Sequence, residues 1–342
     1  MGKSDFGGEK VVFVIPSEAV ADEGSIPLMK KSAVIILVLL VLIGGLFLYI
    51  QISKQQNHFQ ITFFDIGQGD AALIRFENGQ KMLVDCGPDR KILSKLGKAL
   101  PFYDRKIDYL VSTHPDLDHY GGCVDVLKRY EVKTVVINGK EKLDSYFKIW
   151  ESTMQNEGAE IKIMKAPEKW LVASATLEFI APDDSLAVDG EKAEGNNASI
   201  VFRLIKGERK YLFTGDMEGP LENALMQKYC SSTLPPFFKA GAGGGQIKEG
   251  TSIDPALTLP LKREGSECPA LQADILKVGH HGSDSSSGED FLNMVNPKQA
   301  IISSGRNKFG HPSLRVLKKL KRAEAEILRT DEKGDIILSI DK

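Results

Sequence analysis

The sequence predicts an α/β protein in which mixed β-sheets are covered by helices. Three observations support this fold class. Short strand-like runs alternate with segments of helical spacing from about residue 59 to the end of the chain. Strand runs without intervening helices open and close this region, so purely parallel sheets are excluded. The apolar and charged fractions, 42% and 26%, are those of a globular protein and not of a disordered one.

The first half of this region begins with three predicted strands. They are short apolar runs bounded by Gly, Asn and Asp, namely QITFFD, AALIRF and KMLVD. The apolar residues of KILSKLGKAL then recur at helical spacing. IDYLVST is short, apolar and β-branched, as is typical of a buried strand, and GGCVDVLKRY follows it as a predicted helix.

The second half continues the alternation after one interruption. Strands are predicted at KTVVI, AEIKIM, TLEFI, SIVFRLI and KYLFTG, and a helix at EGPLENALMQKY. Residues 231–268 are rich in Gly, Pro, Ser and Thr, which predicts an irregular insertion. Order returns with ADILKVG, FLNMV and QAIISS, the helix PSLRVLKKLKRAEA, and the last strands EILRT and DIILSI. We therefore expect one domain over residues 59–342.

The N-terminal part has a different character. A tail, residues 1–31, precedes an uncharged run over 33–50, and a bilayer is crossed by about 20 apolar helical residues. We therefore predict a transmembrane helix at 32–53. A signal peptide would have a shorter leader and a small-x-small cleavage site, and a core helix would carry a polar face. Lysines 30 and 31, against Lys54 alone, favour a single-pass membrane protein with its domain on the extracytoplasmic side.

The four cysteines lack the CxxC spacing of a zinc ribbon. Cys230 and Cys268 bracket the irregular segment. They could form a disulfide outside the cell, or they could be two buried thiols that never meet.

One short stretch concentrates metal-binding side chains. STHPDLDHYGG, residues 112–122, follows an apolar strand, and loops at strand ends gather ligands on a rigid frame. Imidazole and carboxylate groups suit zinc, manganese or iron. The two closing glycines permit a tight turn before the next helix. The alternative is a polar surface turn. The candidate ligands are His114, Asp116, Asp118 and His119.

Further candidates follow at later strand ends. FTGD contributes Asp216, LKVGHHGSDSSS contributes His280 and His281, and SSGRNKFGHPS contributes His311. Five of the six histidines thus fall at predicted strand-to-loop transitions, and only His58 lies elsewhere. This clustering favours a shared metal site over chance placement.

Together these motifs resemble the metallo-β-lactamase superfamily, and more narrowly the hydrolase domain of ComEC-type DNA-uptake competence proteins. The resemblance extends from about Gln60 to Lys342. It also rests on FFDIGQGDAALI, MLVDCGPD, NNASIVFRL and LFTGD, in that order. It implies an αββα four-layer sandwich of two mixed sheets.

The resemblance also implies roles for individual residues. His114 and Asp116 would hold one divalent ion, and Asp118 and His119 the second. Asp216 would bridge both ions. One of His280 and His281 would complete the second site. We favour His281 as the ligand, with His280 facing the substrate, although the reverse assignment is open.

Two departures from the broader superfamily affect the expected cofactors, which are two divalent ions, zinc or manganese. An aspartate replaces the second histidine of the usual HxHxDH, which shifts preference toward manganese or magnesium. A third histidine for the first site is missing. Asn196 and Asn197 occupy that region as weak amide ligands or as a plain turn. Asp85 and Asn197 are expected to support the ligands from behind.

The expected reaction is hydrolysis of a phosphodiester, with DNA as substrate, by a metal-activated water. Asp118 or Asp116 would accept a proton, and His280 and His311 would contact the phosphate or the leaving group. Candidate substrate-binding residues are Ser283, Asn307 and Lys308. A basic helix at 315–322 could contact phosphates or be an ordinary solvated face.

Other functions are compatible with the same motifs. The chain could be a phosphocholine-esterase-like or lactamase-like hydrolase, or a degenerate, non-catalytic metal-binding module. One predicted span cannot form a pore, so a nuclease working in DNA uptake would need a separate channel as partner.

Overall fold

The computed structural model describes residues 28–56, 58–230 and 268–339. Most of the predicted tail and nearly all of the predicted 231–268 insertion lie outside these residues. The chain divides into two compact units, 1–55 and 56–342. The first contains helix α1 (Leu28–Gln56), which includes the predicted segment 32–53. Among the residues that the structure describes, no helix combines the length and the apolar character needed to cross a membrane.

The second unit contains two seven-stranded sheets within its described residues. The first sheet has the order β14-β1-β2-β3-β4-β5-β6. Strands β3 to β6 are parallel, whereas β14, β1, β2 and β3 pair antiparallel. The strands are β1 (Gln60–Phe63), β2 (Ala72–Arg75), β3 (Lys81–Val84), β4 (Lys106–Val111), β5 (Glu131–Ile137), β6 (Glu160–Ile163) and β14 (Ile336–Ser339).

The second sheet repeats this arrangement, with the order β13-β12-β11-β10-β9-β8-β7. Strands β10 to β13 are parallel, and β7 to β10 pair antiparallel. The strands are β7 (Glu168–Val172), β8 (Ala175–Ala181), β9 (Val201–Lys206), β10 (Arg209–Phe213), β11 (Ile275–Lys277), β12 (Gln299–Ile302) and β13 (Glu326–Arg329). The prediction of mixed sheets is confirmed.

Side-chain alternation along the strands divides the core into layers. In β2, Ile74 faces the opposite sheet while Leu73 faces the covering helices, as the two-residue period of a strand requires. Stacked rings fill the centre between the sheets, with Phe213 lying 5.7 Å from Phe63 and 4.7 Å from Phe202. The apolar packing therefore joins the two sheets face to face.

Helices cover both outer faces and complete four layers. The helices that cover the first sheet are α2 (Lys91–Ala99), α3 (Leu117–Tyr120), α4 (Cys123–Leu127) and α5 (Ser145–Asn156). The helices that cover the second sheet are α6 (Gly219–Cys230), α7 (Glu289–Val295) and α8 (Leu314–Arg322). The short α9 (Thr330–Lys333) follows β13. The helix predicted over GGCVDVLKRY is the short α4, and a second short helix, α3, precedes it. Helix α3 begins inside the histidine motif, at Leu117.

Two disulfides connect segments of this unit. Cys230 and Cys268 are bonded, so of the two alternatives left open by the sequence the disulfide is confirmed. Cys86 and Cys123 form a second bond, with their Cα atoms 5.2 Å apart. It joins the loop after β3 to α4, next to the histidine motif.

Candidate metal centre

The chemically active side chains meet at one edge of the sandwich. The parallel strands of both sheets end there, and the loops that follow them carry the polar residues. This convergence explains why motifs far apart in sequence share one site. The loops contribute Asp85 after β3, His114 after β4, Asp216 after β10, and His280 and His281 after β11.

Three buried side chains form the first group of donors. One ligand atom from each of His114, His119 and Asp216 lies within 4.8 Å of the other two. The Nε2 atom of His119 is 3.2 Å from Oδ1 of Asp216. These spacings leave room for an ion between the atoms.

A second group shares His119 with the first. Asp118, His119 and His281 also offer ligand atoms within 4.8 Å of one another. Nε2 of His281 lies 3.2 Å from Oδ2 of Asp118 and 3.4 Å from Oδ2 of Asp216. The two oxygens of Asp216 thus face different histidines, His119 and His281.

The donor atoms themselves show that a cation fits. A buried polar atom without a partner costs about 1–3 kcal/mol, so proteins rarely leave several together. The chemistry of imidazole nitrogen with carboxylate oxygen matches a divalent transition metal. Within the described chain, four buried atoms of the two groups have no hydrogen-bond partner: Nε2 of His114, His119 and His281, and Oδ1 of Asp216.

The outward-facing nitrogens of the histidines are already fixed. Nδ1 of His119 is 2.9 Å from Oδ2 of Asp85, and Nδ1 of His281 is 3.0 Å from the carbonyl oxygen of Ser303. Asp85 also accepts hydrogen bonds from the backbone N and the Oγ1 of Thr113, both at 2.8 Å. A neutral ring whose proton is held on Nδ1 has a lone pair on Nε2 that can bind a metal ion. Asp85 thus contacts a candidate ligand directly, and its supporting role stays a prediction.

Mutual charges set the protonation of the centre. Although burial opposes it, His119 and His281 hold the pKa of Asp216 well below its usual value. Conversely, although burial opposes it, Asp216 and Asp85 together raise the pKa of His119, and Asp216 with Asp70 and Asp118 raises the pKa of His281. Burial, assisted by the neighbouring His119, lowers the pKa of His114 to about 4. His114 is therefore neutral near pH 7, as a ligand must be.

Asp116 lies at the margin of this centre. Its Oδ2 is 3.8 Å from Nε2 of His114, and its other oxygen pairs with Lys142. Among the described residues, the converging donor groups do not include Asp116. Its predicted role as a ligand stays a prediction.

The asparagine pair that replaces the expected third histidine is occupied elsewhere. Oδ1 of Asn197 accepts a hydrogen bond from the backbone N of Glu218 at 3.1 Å. Asn196 donates from Nδ2 to Oε1 of Glu218 at 3.3 Å. Asn197 thus fixes the loop that carries Asp216, consistent with its predicted supporting position.

The two adjacent histidines after β11 lie in different environments. His281 is only 1% exposed and points into the donor cluster, whereas His280 is partly exposed. Nδ1 of His280 is 2.8 Å from Oε1 of Glu218, and its ring centroid is 5.3 Å from that of His311. Both have positive φ, 47° and 52°, an uncommon conformation for non-glycine residues that turns the rings apart. This geometry favours His281 as the ligand.

The predicted substrate-binding residues line the rim in different ways. Ser283 lies with its Oγ 2.9 Å from that of Ser285. Asn307 uses its whole amide inside its own loop, donating to the carbonyl oxygens of Gly305 and His311. Lys308 is exposed. Substrate binding by these residues stays a prediction.

A buried ion pair next to the centre was not predicted. Lys277 and Asp70 are 4% and 5% exposed, and Nζ of Lys277 is 2.6 Å from Oδ2 of Asp70. Oδ1 of Asp70 faces Nδ1 of His281 at 3.3 Å. The pair thus supports His281 from behind. The available sequence signal was a lysine inside the apolar strand that leads to the two histidines.

Comparison with known proteins agrees with this geometry. The profile of the metallo-beta-lactamase superfamily matches residues 64–306. The chain belongs to this superfamily.

Curated relatives of this superfamily member include competence proteins. The chain is 28% identical over 310 residues to ComE operon protein 3 of Bacillus subtilis, covering 85% of this chain and 34% of the relative. It is 28% identical over 295 residues to competence protein ComA of Neisseria gonorrhoeae, covering 86% of this chain and 34% of the relative. The chain thus spans about a third of these relatives, and their similarity supports a ComEC-type hydrolase domain.

Among solved structures, the metallo-beta-lactamase fold protein YhfI from Bacillus subtilis aligns with a TM-score of 0.47 at 11% identity. The alignment covers 82% of this chain and 99% of that one.

Proposed function

We propose that this protein is a metal-dependent phosphodiesterase that cleaves DNA. The observation that carries the proposal is the convergence of four buried, unpartnered donor atoms from His114, His119, His281 and Asp216. The similarity to competence proteins supports nucleic acid as the substrate class. Superfamily membership alone supports only a metal-dependent hydrolase.

The residues present can hold two divalent ions, zinc or manganese. His114 and Asp116 would hold one ion, and Asp118, His119 and His281 the other. Asp216 lies between the two sets. When bound, such ions supply an activated water and neutralise phosphate charge.

The protein side chains would orient the ligands, accept a proton and contact the substrate. Asp85 and the Ser303 carbonyl orient His119 and His281. The half-exposed Asp118, whose pKa is lowered by His281 and His119 despite burial, is ionised and can accept a proton from the attacking water. His280 and His311 lie at the open rim, where they can contact a phosphate oxygen or the leaving group.

Membrane attachment through residues 32–53 is a separate part of the proposal. The side chains of α1 that the structure describes are apolar and exposed between residues 34 and 43. The two disulfides favour an oxidising, extracytoplasmic location for the domain. A separate DNA channel would then be the partner. Membrane fractionation and protease accessibility in spheroplasts test this part, and a domain that resists protease until the cells are lysed would refute it.

A cleavage panel tests the enzymatic proposal. The purified full chain would be given single-stranded DNA, bis(p-nitrophenyl) phosphate, a phosphocholine ester and nitrocefin, with manganese or zinc. We expect cleavage of the DNA and the small phosphodiester. His119→Ala should lower the rate more than 100-fold, because supporting residues of metal ligands alone account for about 10- to 100-fold. His58→Ala is the matched control, since His58 lies outside the site.

The other outcomes separate the alternative functions. Hydrolysis of nitrocefin or the phosphocholine ester, without DNA cleavage, would replace the nuclease by another hydrolase. An inert chain with less than one bound ion would indicate a non-catalytic module.

A further inference from the structure

We propose that Phe309 and Lys308 form a subsite for one unpaired nucleobase and its phosphate at the rim of the metal centre. The inference rests on the proposed function and specifies its substrate, a single strand or an unpaired end. Phe309 is 64% exposed, although an aromatic ring of this size is ordinarily placed in contact with other apolar groups.

The exposed ring stands on a loop whose backbone is fixed. Oδ1 of Asn307 accepts hydrogen bonds from the backbone N of Phe309 at 2.9 Å and of His311 at 3.1 Å. Nδ2 of Asn307 donates to the carbonyl oxygens of Gly305 and His311 at 2.8 and 2.6 Å. Four hydrogen bonds from one side chain thus hold the loop that presents Phe309. A preorganised aromatic surface loses little conformational entropy when a ligand stacks on it.

A continuous series of rings connects this surface to the metal ligands. The ring centroids of Phe309 and His311 are 5.8 Å apart, with 30° between the planes. His311 lies 5.3 Å from His280, and His280 lies 6.1 Å from His281. A base stacked on Phe309 would therefore place a neighbouring phosphate beside the rim histidines. The same series of rings separates Phe309 from the candidate metal ligands. Phe309 can therefore bind substrate without contacting a metal ion.

The local chemistry matches a nucleotide. Lys308 Nζ lies over the Phe309 ring, 5.6 Å from its centroid, so an ammonium group and an aromatic ring are adjacent. Single-strand binding sites combine these two elements, because every base offers a π-face and every linkage a negative phosphate. In a duplex the base faces are covered by their neighbours. The subsite therefore selects unpaired bases.

An exposed aromatic residue elsewhere on the chain provides a control. Phe102 is 85% exposed and lies in the loop that enters β4. Because His114 follows the other end of β4, Phe102 lies at the opposite edge of the sheet. Its ring centroid lies 5.4 Å from that of Tyr103, which is also exposed, and exposed apolar residues away from a binding site are common on soluble proteins.

The test compares oligonucleotides with and without a base. Wild type, Phe309→Ala, Phe309→Trp and Phe102→Ala would each be given a single-stranded oligonucleotide and the same strand with abasic sites, with manganese. The readout is the ratio of kcat/KM on the two strands. We expect this base preference to fall about tenfold in Phe309→Ala, through KM, as loss of one stacked base predicts. Phe309→Trp should keep it, and Phe102→Ala should match wild type.

The outcomes distinguish this inference from the proposed function. If wild type cleaves DNA but Phe309→Ala keeps the full base preference, the subsite is refuted and the nuclease stands. A preference lost equally in Phe102→Ala would also refute it, as would a wild type that cleaves both strands equally well. If wild type cleaves neither DNA nor bis(p-nitrophenyl) phosphate, the proposed function fails as well.

Discussion

Replacing Asp85 with asparagine tests how the buried carboxylate orients His119. The two oxygens of Asp85 accept three hydrogen bonds, from the backbone N and Oγ1 of Thr113 and from Nδ1 of His119. Asparagine has one acceptor oxygen and one NH2 donor. If its oxygen faces the Thr113 backbone N, its NH2 faces Nδ1 of His119. Either that hydrogen bond is lost, or the His119 proton moves to Nε2 and blocks the atom aimed at the metal.

The expected losses of metal affinity and of stability follow from these hydrogen bonds. Loss of a ligand's supporting hydrogen bond lowers metal affinity about 10- to 100-fold, or about 1.4–2.7 kcal/mol. Loss of one hydrogen bond to a charged acceptor destabilises the metal-free protein by about 1.5–3 kcal/mol. We expect Asp85→Asn to show both effects, by zinc titration calorimetry and by urea denaturation with EDTA. The exposed Asp184→Asn is the control. Zinc affinity within twofold of wild type would refute this account of how His119 is oriented.

Three other substitutions test the packing around the site. Burial raises the pKa of Glu222 to about 7, so the folded state binds the proton more tightly and the free energy of unfolding should fall by about 3 kcal/mol between about pH 4.5 and pH 7. Urea titrations across that range should show Glu222→Gln lacking this part of the slope, and equal slopes would contradict the argument. A Cβ at Gly122 would lie 2.3 Å from a backbone carbonyl oxygen, whereas one at Gly97 meets nothing within 4 Å. Gly122→Ala should therefore lower the free energy of unfolding by about 1–3 kcal/mol, which is measured by urea denaturation. Gly97→Ala should not lower it. Lys277→Met leaves Asp70 buried without its cation and should lower the free energy of unfolding by about 3–5 kcal/mol. Adding Asp70→Asn to the same chain should restore part of this loss. A Lys277→Met variant as stable as wild type would show that the ion pair does not contribute to stability.

The sequence predicted the layered sheets because strand periodicity is local. Runs such as KMLVD and IDYLVST have the composition of buried strands wherever they stand, and both became strands. Four α-helices or strands of the described residues were missed, namely α5, β7 and the short helices α3 and α9. The residues of β7, EKWLV, alternate between partly buried and exposed positions at the sheet edge, so their apolar pattern is weak.

The sequence predicted the parts of the site that consist of residues adjacent in the chain. It was less informative about contacts between residues that are far apart in sequence. The HPDLDH motif and the two adjacent histidines predicted which loops meet at the candidate site. The Lys277–Asp70 pair and the Cys86–Cys123 bond join positions far apart in sequence, and no local pattern shows which partner each residue meets. Asn307 was predicted near substrate because it lies beside His311. In the structure its amide is turned inward to hold the loop.

The central claim is that the buried nitrogens of three histidines and the oxygens of Asp216 enclose metal ions. A crystal structure of the protein soaked in zinc, with anomalous diffraction at the zinc edge, tests it directly. We expect an anomalous peak about 2.0–2.2 Å from Nε2 of His119 or His281, in contact with Asp216. Crystals that show these nitrogens without any metal peak, in the presence of excess zinc, would contradict the claim.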